Sequence, residues 1–343
     1  MRQEYTLSQL LLMLQVIFIA FFVSCITYSV EETYRMEEYI IFRDIMAMLL
    51  VGFGFLMTFI RTYGLGSVGF TLMLTALAMQ ANVMMEYAMR ALYPDTEEHF
   101  PMEMTMINLI DAEFAAATLL ISFGAVIGRA SPLQMIIMMA SQALFYAFNK
   151  VFLVFGYIGA EDVGGTLTIH LFGAYFGLAA SYALGPSEKT AEQDKISDIF
   201  AFIGTTILWV YWPSFVSATE TGHPEYAMRC VSNTVFALLA STAATFFVSH
   251  FLTTWKFDPV HIANATLAGG VAIGSSGRLS TTPGGAVVCH LILSIVFYLC
   301  VSPKTLILSL CFVPLGGRCY CRHFECRWLC PRIAAPREST ESI

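Results

Sequence analysis

The chain has 343 residues, 57% of them hydrophobic and 13% charged, with a net charge of −7 and a mean hydropathy of +0.67. Soluble domains carry about 25% charged residues, so this composition excludes a pair of soluble domains and points to one polytopic membrane bundle. No basic stripe offers a surface for nucleic acid. Only Cys25 and Cys230 precede Val288, so the cysteines do not form a chain-wide disulfide framework.

An apolar stretch of about 20 residues crosses a bilayer as a helix. Hydropathy and charged breaks predict ten, near 9–29, 42–60, 66–89, 105–128, 132–157, 166–185, 197–218, 229–251, 259–277 and 283–302. In lipid every backbone N–H and C=O needs an internal partner, so the fold class is an all-α polytopic membrane protein. The first span reads either as a signal peptide or as a retained helix. Its length, and a flank (Tyr28-Ser-Val-Glu-Glu32) without a small-residue cleavage site, favour the helix. Connections are short and rich in Gly and Pro. Lys and Arg divide evenly between the two sides before residue 283. Lys304 and the arginines of the tail then place both termini on the cytoplasmic side. Acidic residues crowd the opposite loops.

Several polar and aromatic residues lie inside or beside these spans. Phe114 follows Asp111-Ala-Glu113, and Phe215 ends Trp212-Pro-Ser-Phe215. Two rings can gate a narrow pore by dewetting, although most of the 28 Phe in such a chain face lipid or pack in the core. Asp162 opens the sixth span, with Gly164 and Gly165 just after it. It reads as a charge that stabilises a cation beside a pore, as a helix N-cap, or as both. His170 sits at the centre of that span. An ionisable group at such depth is expensive and usually faces a protein-lined path, so a pore-lining imidazole is favoured over a structural one bonded to a carbonyl. Its pKa near neutrality suits exchange of a hydrogen bond with a small nitrogen base.

Asp258-Pro-Val-His261 opens the ninth span and runs into Asn264-Ala-Thr-Leu-Ala-Gly-Gly270, where small residues permit tight helix contact. His261 reads more readily as structural than as a ligand. Asn264 begins a glycosylation sequon, but inside a span it is out of reach. A faint repeat links Ala115 through Gly124 with Ala263 through Gly274. Such repeats are common in transporters, with the site at their interface. The tail carries Cys319, Cys321, Cys326 and Cys330 at a spacing that fits no trusted zinc pattern. Neither a nucleophile–base pair nor a phosphate loop appears in the spans. The expectation is a non-enzyme without metal or cofactor.

Several segments, in order, resemble the Rh glycoprotein branch of the ammonium transporter family. They are Val51 to Phe59, Tyr63 to Phe70, Leu119 to Ala125, Gly164 to Leu178, Trp212 to Phe215 and Val260 to Gly270. The resemblance divides the chain into a transporter-like membrane domain over 1–288 and a divergent Cys/Arg-rich tail over 289–343. It implies a fold of twelve helices built on an inverted repeat. It also implies a trimer with one hydrophobic pore per subunit, conducting ammonia, or ammonium after deprotonation, with carbon dioxide also proposed. His170 then matches the first histidine of a pore pair, Asp162 the family's acidic residue, and Phe114 and Phe215 the gate rings. Asp258 and His261 match the opening of the ninth helix, and Glu113 stands where an aspartate is usual.

The second pore histidine belongs to a motif resembling Gly-Val-His-Asn-Leu-His-Gly. That motif is absent here, and Arg322, Glu325 and Arg327 around His323 do not suit a membrane helix. The expectation is therefore ammonia/ammonium transport with weakened conduction by this chain. The alternative is a non-transporting isoform that joins trimers of full-length Rh subunits in the plasma membrane.

Overall fold

The computed structural model describes residues 2–28, 35–60, 64–94, 100–185, 195–220, 222–252, 257 and 259–278. Among them, eight helices are long and apolar enough to cross a membrane. These are α1 (Arg2–Cys25), α2 (Met36–Phe59), α3 (Gly64–Leu92), α4 (Met106–Val126), α5 (Pro132–Ile158), α6 (Thr166–Leu184), α7 (Lys195–Ser217) and α8 (Pro224–Leu252). They agree with the first eight expected spans. The ninth span differs from the single helix expected. It is two short helices, α9 (Pro259–Ala265) and α10 (Ala268–Ile273), separated at Thr266–Leu267. The tenth span, the tail over 289–343, Asp258 and the His261 side chain lie outside the described residues.

Local chemistry sets the helix starts. Thr105 Oγ1 accepts from Asn108 N at 3.2 Å while Asn108 Oδ1 accepts from Thr105 N at 2.9 Å, a reciprocal cap for α4. Ser131 and Gln134 repeat this at α5, with Pro132 at the first helical position. Just beyond α1, β1 (Ile26–Tyr28) pairs in parallel with β2 (Met102–Met104), a small departure from an all-α chain. The pairing fixes the end of α1 and the start of α4 at one end of the bundle. Successive crossings bring Asp162, Glu220 and Arg278 to that same end.

The helix α4 is central. Every residue from Ala112 to Gly124 is buried, as expected of a helix that is small and apolar all round. Lipid removes the hydrophobic drive between helices, so close packing and interhelical hydrogen bonds hold the bundle. Two glycines of α6 supply the closeness. A Cβ on Gly173 would stand 2.7 Å from Thr118 O, and one on Gly177 would stand 2.9 Å from Ser122 Cα. Ser122 Oγ donates to Gly173 O at 2.6 Å across this contact. Gly173→Leu is expected to lower stability by about 1–3 kcal/mol through overpacking. A thermal midpoint equal to that of the parent would contradict the contact.

The break in the ninth span is satisfied from its neighbours. Thr205 Oγ1 on α7 donates to Ala263 O at 2.9 Å, and Ser241 Oγ on α8 donates to Thr266 O. Leu267 N turns back to Asn264 O at 3.1 Å. Irregular backbone at membrane depth is tolerated where protein surrounds it in this way.

One polar cluster was not expected. Lys150 on α5 is buried and its Nζ lies 2.8 Å from both Glu86 Oε1 on α3 and Asp111 Oδ1 on α4. Arg90 Nη2 adds a 2.7 Å contact to Glu86 Oε1, and Asn82 Nδ2 donates to Glu86 Oε2 at 3.2 Å. Two positive and two negative charges balance here, tying three helices near the Asp162 end.

Candidate functional site

The segment leading into α6 is shaped by two glycines. Gly165 adopts φ +70°, the left-handed region open to glycine. Its carbonyl accepts from Ile169 N at 2.9 Å and from His170 N at 3.1 Å, so α6 begins with a π-turn over Thr166–Leu171. Such turns recur at functional sites. Gly164 allows the other approach, because its N–H donates to Gly274 O at 2.9 Å and a Cβ would stand 2.8 Å from Gly274 Cα. Thr166 Oγ1 then donates to Val271 O at 2.7 Å and accepts from Ser275 N at 2.8 Å. The loop before α6 is thereby clamped to the end of α10.

Asp162 organises this clamp. Its Oδ2 accepts from Leu167 N at 3.0 Å, Thr168 N at 2.7 Å and Thr168 Oγ1 at 2.8 Å, and its Oδ1 accepts from Ser275 Oγ at 2.6 Å. The carboxylate caps the π-turn from outside the helix, at the end where the peptide dipoles favour negative charge.

His170 is 1% exposed. Its ring stacks on Trp212 at 5.6 Å between centroids and 13° between planes, and Phe215 leans on it at 5.9 Å and 60°. Phe114 meets Phe215 edge to face at 5.0 Å and 68°. Phe114, Phe215, Trp212 and His170 therefore form one continuous line of rings between α4, α6 and α7. Trp212 packs on α10, where a Cβ on Gly270 would stand 2.5 Å from Trp212 Nε1. Neither ring nitrogen of His170 has a hydrogen-bond partner among the described residues. The same holds for Trp212 Nε1 and for the fully buried Glu113 carboxylate. Asn264, also buried, sits at the helix break, where its carbonyl accepts from Leu267 N.

Of the expected residues, the structure brings His170, Phe215 and Phe114 together and places Asp162 at the start of the same helix. Trp212, Thr168 and Ser275 were missed. Trp212 had a signal, because it precedes Phe215 by three positions and so shares its helix face. Ser275 had none, since its bond to Asp162 joins residues 113 apart in sequence.

Chemically, the rings form an apolar, buried contact that includes one imidazole able to accept or donate a hydrogen bond. Flat aromatic faces also attract cations.

The sequence profile of the Ammonium Transporter Family matches residues 3–310, past Val288. Ammonium transporter Rh type B-B of Xenopus laevis is 42% identical over 253 residues, covering 72% of this chain and 54% of that protein. Ammonium transporter Rh type A of Bos taurus is 42% identical over 262 residues, covering 74% of this chain and 59% of that protein. The chain thus spans little more than half the length of these relatives. The solved structure of Nitrosomonas europaea Rh50 superposes with a TM-score of 0.67 at 34% identity, covering 77% of this chain and 69% of that one. The crystal structure of Saccharomyces cerevisiae Mep2, at 17% identity and a TM-score of 0.66, shares the fold. By profile, sequence and fold together, the chain belongs to the Rh branch of the ammonium transporter family.

Proposed function

We propose that this membrane protein carries ammonia across the bilayer past His170. The observation that supports it most is a buried imidazole, stacked on Trp212 beneath the Phe114–Phe215 pair, whose two nitrogens have no hydrogen-bond partner among the described residues. Ammonia offers both a lone pair and N–H donors to such a ring. Ammonium gives its proton back to water at the mouth (NH4+ + H2O → NH3 + H3O+) before ammonia passes the phenyl pair, because a charge among such apolar rings carries a heavy desolvation penalty. Asp162 holds the histidine's turn in place and sets a negative charge near its mouth. Carbon dioxide, small and apolar, fits the same line of rings. The functional unit is a trimer in the plasma membrane, with cytoplasmic termini and with copies of this chain or longer Rh subunits as partners.

Vesicles containing the purified chain and an internal pH dye test this reading. An inward ammonium gradient should alkalinise them faster than empty vesicles. His170→Ala should cut the difference about fivefold, as expected from the loss of one hydrogen bond to the permeant. Rates equal to those of empty vesicles would remove the transport reading. Co-purification of such inert protein with a longer Rh subunit would instead select the non-transporting partner role.

A further inference from the structure

Directly beside the Asp162 clamp, three segments meet on one cation. Arg278, three residues after Ser275, donates from Nη1 to Glu220 Oε1 at 3.2 Å and from Nη2 to Glu161 Oε2. Glu161 immediately precedes Asp162. Glu220 is buried, and its neighbour Thr219 donates from Oγ1 to Val163 O at 3.0 Å. The Arg278 guanidinium also lies 5.5 Å from the centroid of the Tyr226 ring, which Arg229 approaches at 5.8 Å and His223 at 5.7 Å between rings. Arg229 Nη1 donates to Arg278 O at 3.1 Å and Asn233 Nδ2 to Gly277 O at 2.7 Å, so α8 holds this end of the chain segment firmly.

Two carboxylates and an aromatic face are the elements that recognise a small monovalent cation. Here they surround a cation the chain itself provides. We infer that Arg278 is a specificity-determining residue: a tethered counter-cation that fills a cation cage of Glu161, Glu220 and Tyr226 at the mouth of the path and keeps alkylammonium and ammonium ions from being concentrated there. Its role rests on the ammonia-path reading, though its test does not. The loops at this end are rich in acidic residues, so a cage left open would draw cations from solution. With Arg278 in place Glu161 and Glu220 are already neutralised and, among the described residues, Asp162 is the one carboxylate of this group without a paired cation, so fewer ions gather beside the uncharged base.

The test is calorimetric titration of methylammonium chloride, a cation at neutral pH, into the purified full chain in detergent at low salt. The parent should show no saturable binding at this site. Arg278→Gln should bind with about tenfold higher apparent affinity, a change on the scale of a carboxylate and cation–π contact regained. The double variant R278Q/E220Q should return toward the parent, because the buried carboxylate that anchors the ion is gone. A monodisperse R278Q whose titration matches the parent would overturn the inference. If R278Q does not yield monodisperse protein, Arg278→Lys decides the matter. A lysine engages one carboxylate at a time and should give a smaller gain, and no gain would overturn the inference equally. Vesicle flux is read in parallel. Loss of flux in the parent removes the transport reading and leaves the binding result standing on its own.

Discussion

Lys150→Met should be among the most damaging single substitutions in the described part of the chain, lowering stability by about 3–5 kcal/mol. The change removes the ammonium group that contacts Glu86 and Asp111, each at 2.8 Å, inside the bundle. Arg90 remains on Glu86 at 2.7 Å but reaches Asp111 only at 3.8 Å, so the half-buried Asp111 is left with one distant cation. The expected readout is a fall in thermal midpoint on the order of 10 °C, followed by size-exclusion chromatography after heating. The partner change gives the control. In K150M/D111N one positive and one negative charge are both gone, and much of the midpoint should return. If the single and double variants melt together, the cluster is not what ties α3, α4 and α5. Asp111 lies one helical turn before Phe114, so the same loss should loosen the phenyl pair.

Asp162→Ala should be comparably severe, for a different reason. It strips the acceptor from two amides and two hydroxyls at once. Hydroxyls can turn to other acceptors, but the Leu167 and Thr168 amides are fixed by the backbone. Each buried amide left without a partner costs about 1–3 kcal/mol, giving a total near 4 kcal/mol. Asp162→Asn keeps one acceptor oxygen and should lose about half as much. Comparing midpoint with vesicle flux separates the two roles of this carboxylate. If it only caps the turn, D162N flux per folded molecule matches the parent. If its charge also attracts the ion, flux falls further than stability does. A D162N midpoint equal to the parent's would contradict the capping role.

The membrane spans were legible because length and hydropathy report directly on bilayer thickness. The first eight expected spans recur as helices within a few residues at most ends. The break at Thr266–Leu267 was not legible. Its residues are as small and apolar as those of an unbroken span, and the groups that satisfy it, Thr205 and Ser241, come from other helices. The site divides in the same way. His170 and Asp162 stood out because ionisable residues are rare in such stretches, and the resemblance to Rh proteins selected Phe114 and Phe215 from among 28. The Trp212 platform, the Ser275 bond and the Lys150 cluster all depend on contacts distant in sequence. Lys150 lies buried between two carboxylates that other helices supply.

The π-turn that carries His170 also sets the phase of everything after it. Each residue advances an α-helix by about 100°, and a turn that closes one residue later delays the following helix by that angle. Gly173 and Gly177 face Thr118 and Ser122 because of this delay. An ordinary turn over Thr166–Leu171 would swing the glycines off α4 and present bulkier neighbours such as Tyr175 and Phe176 to the seam. The wide turn thus acts as an angular adapter. It lets one short helix aim an imidazole at the ring line and, a turn later, offer its narrowest face to the centre of the bundle.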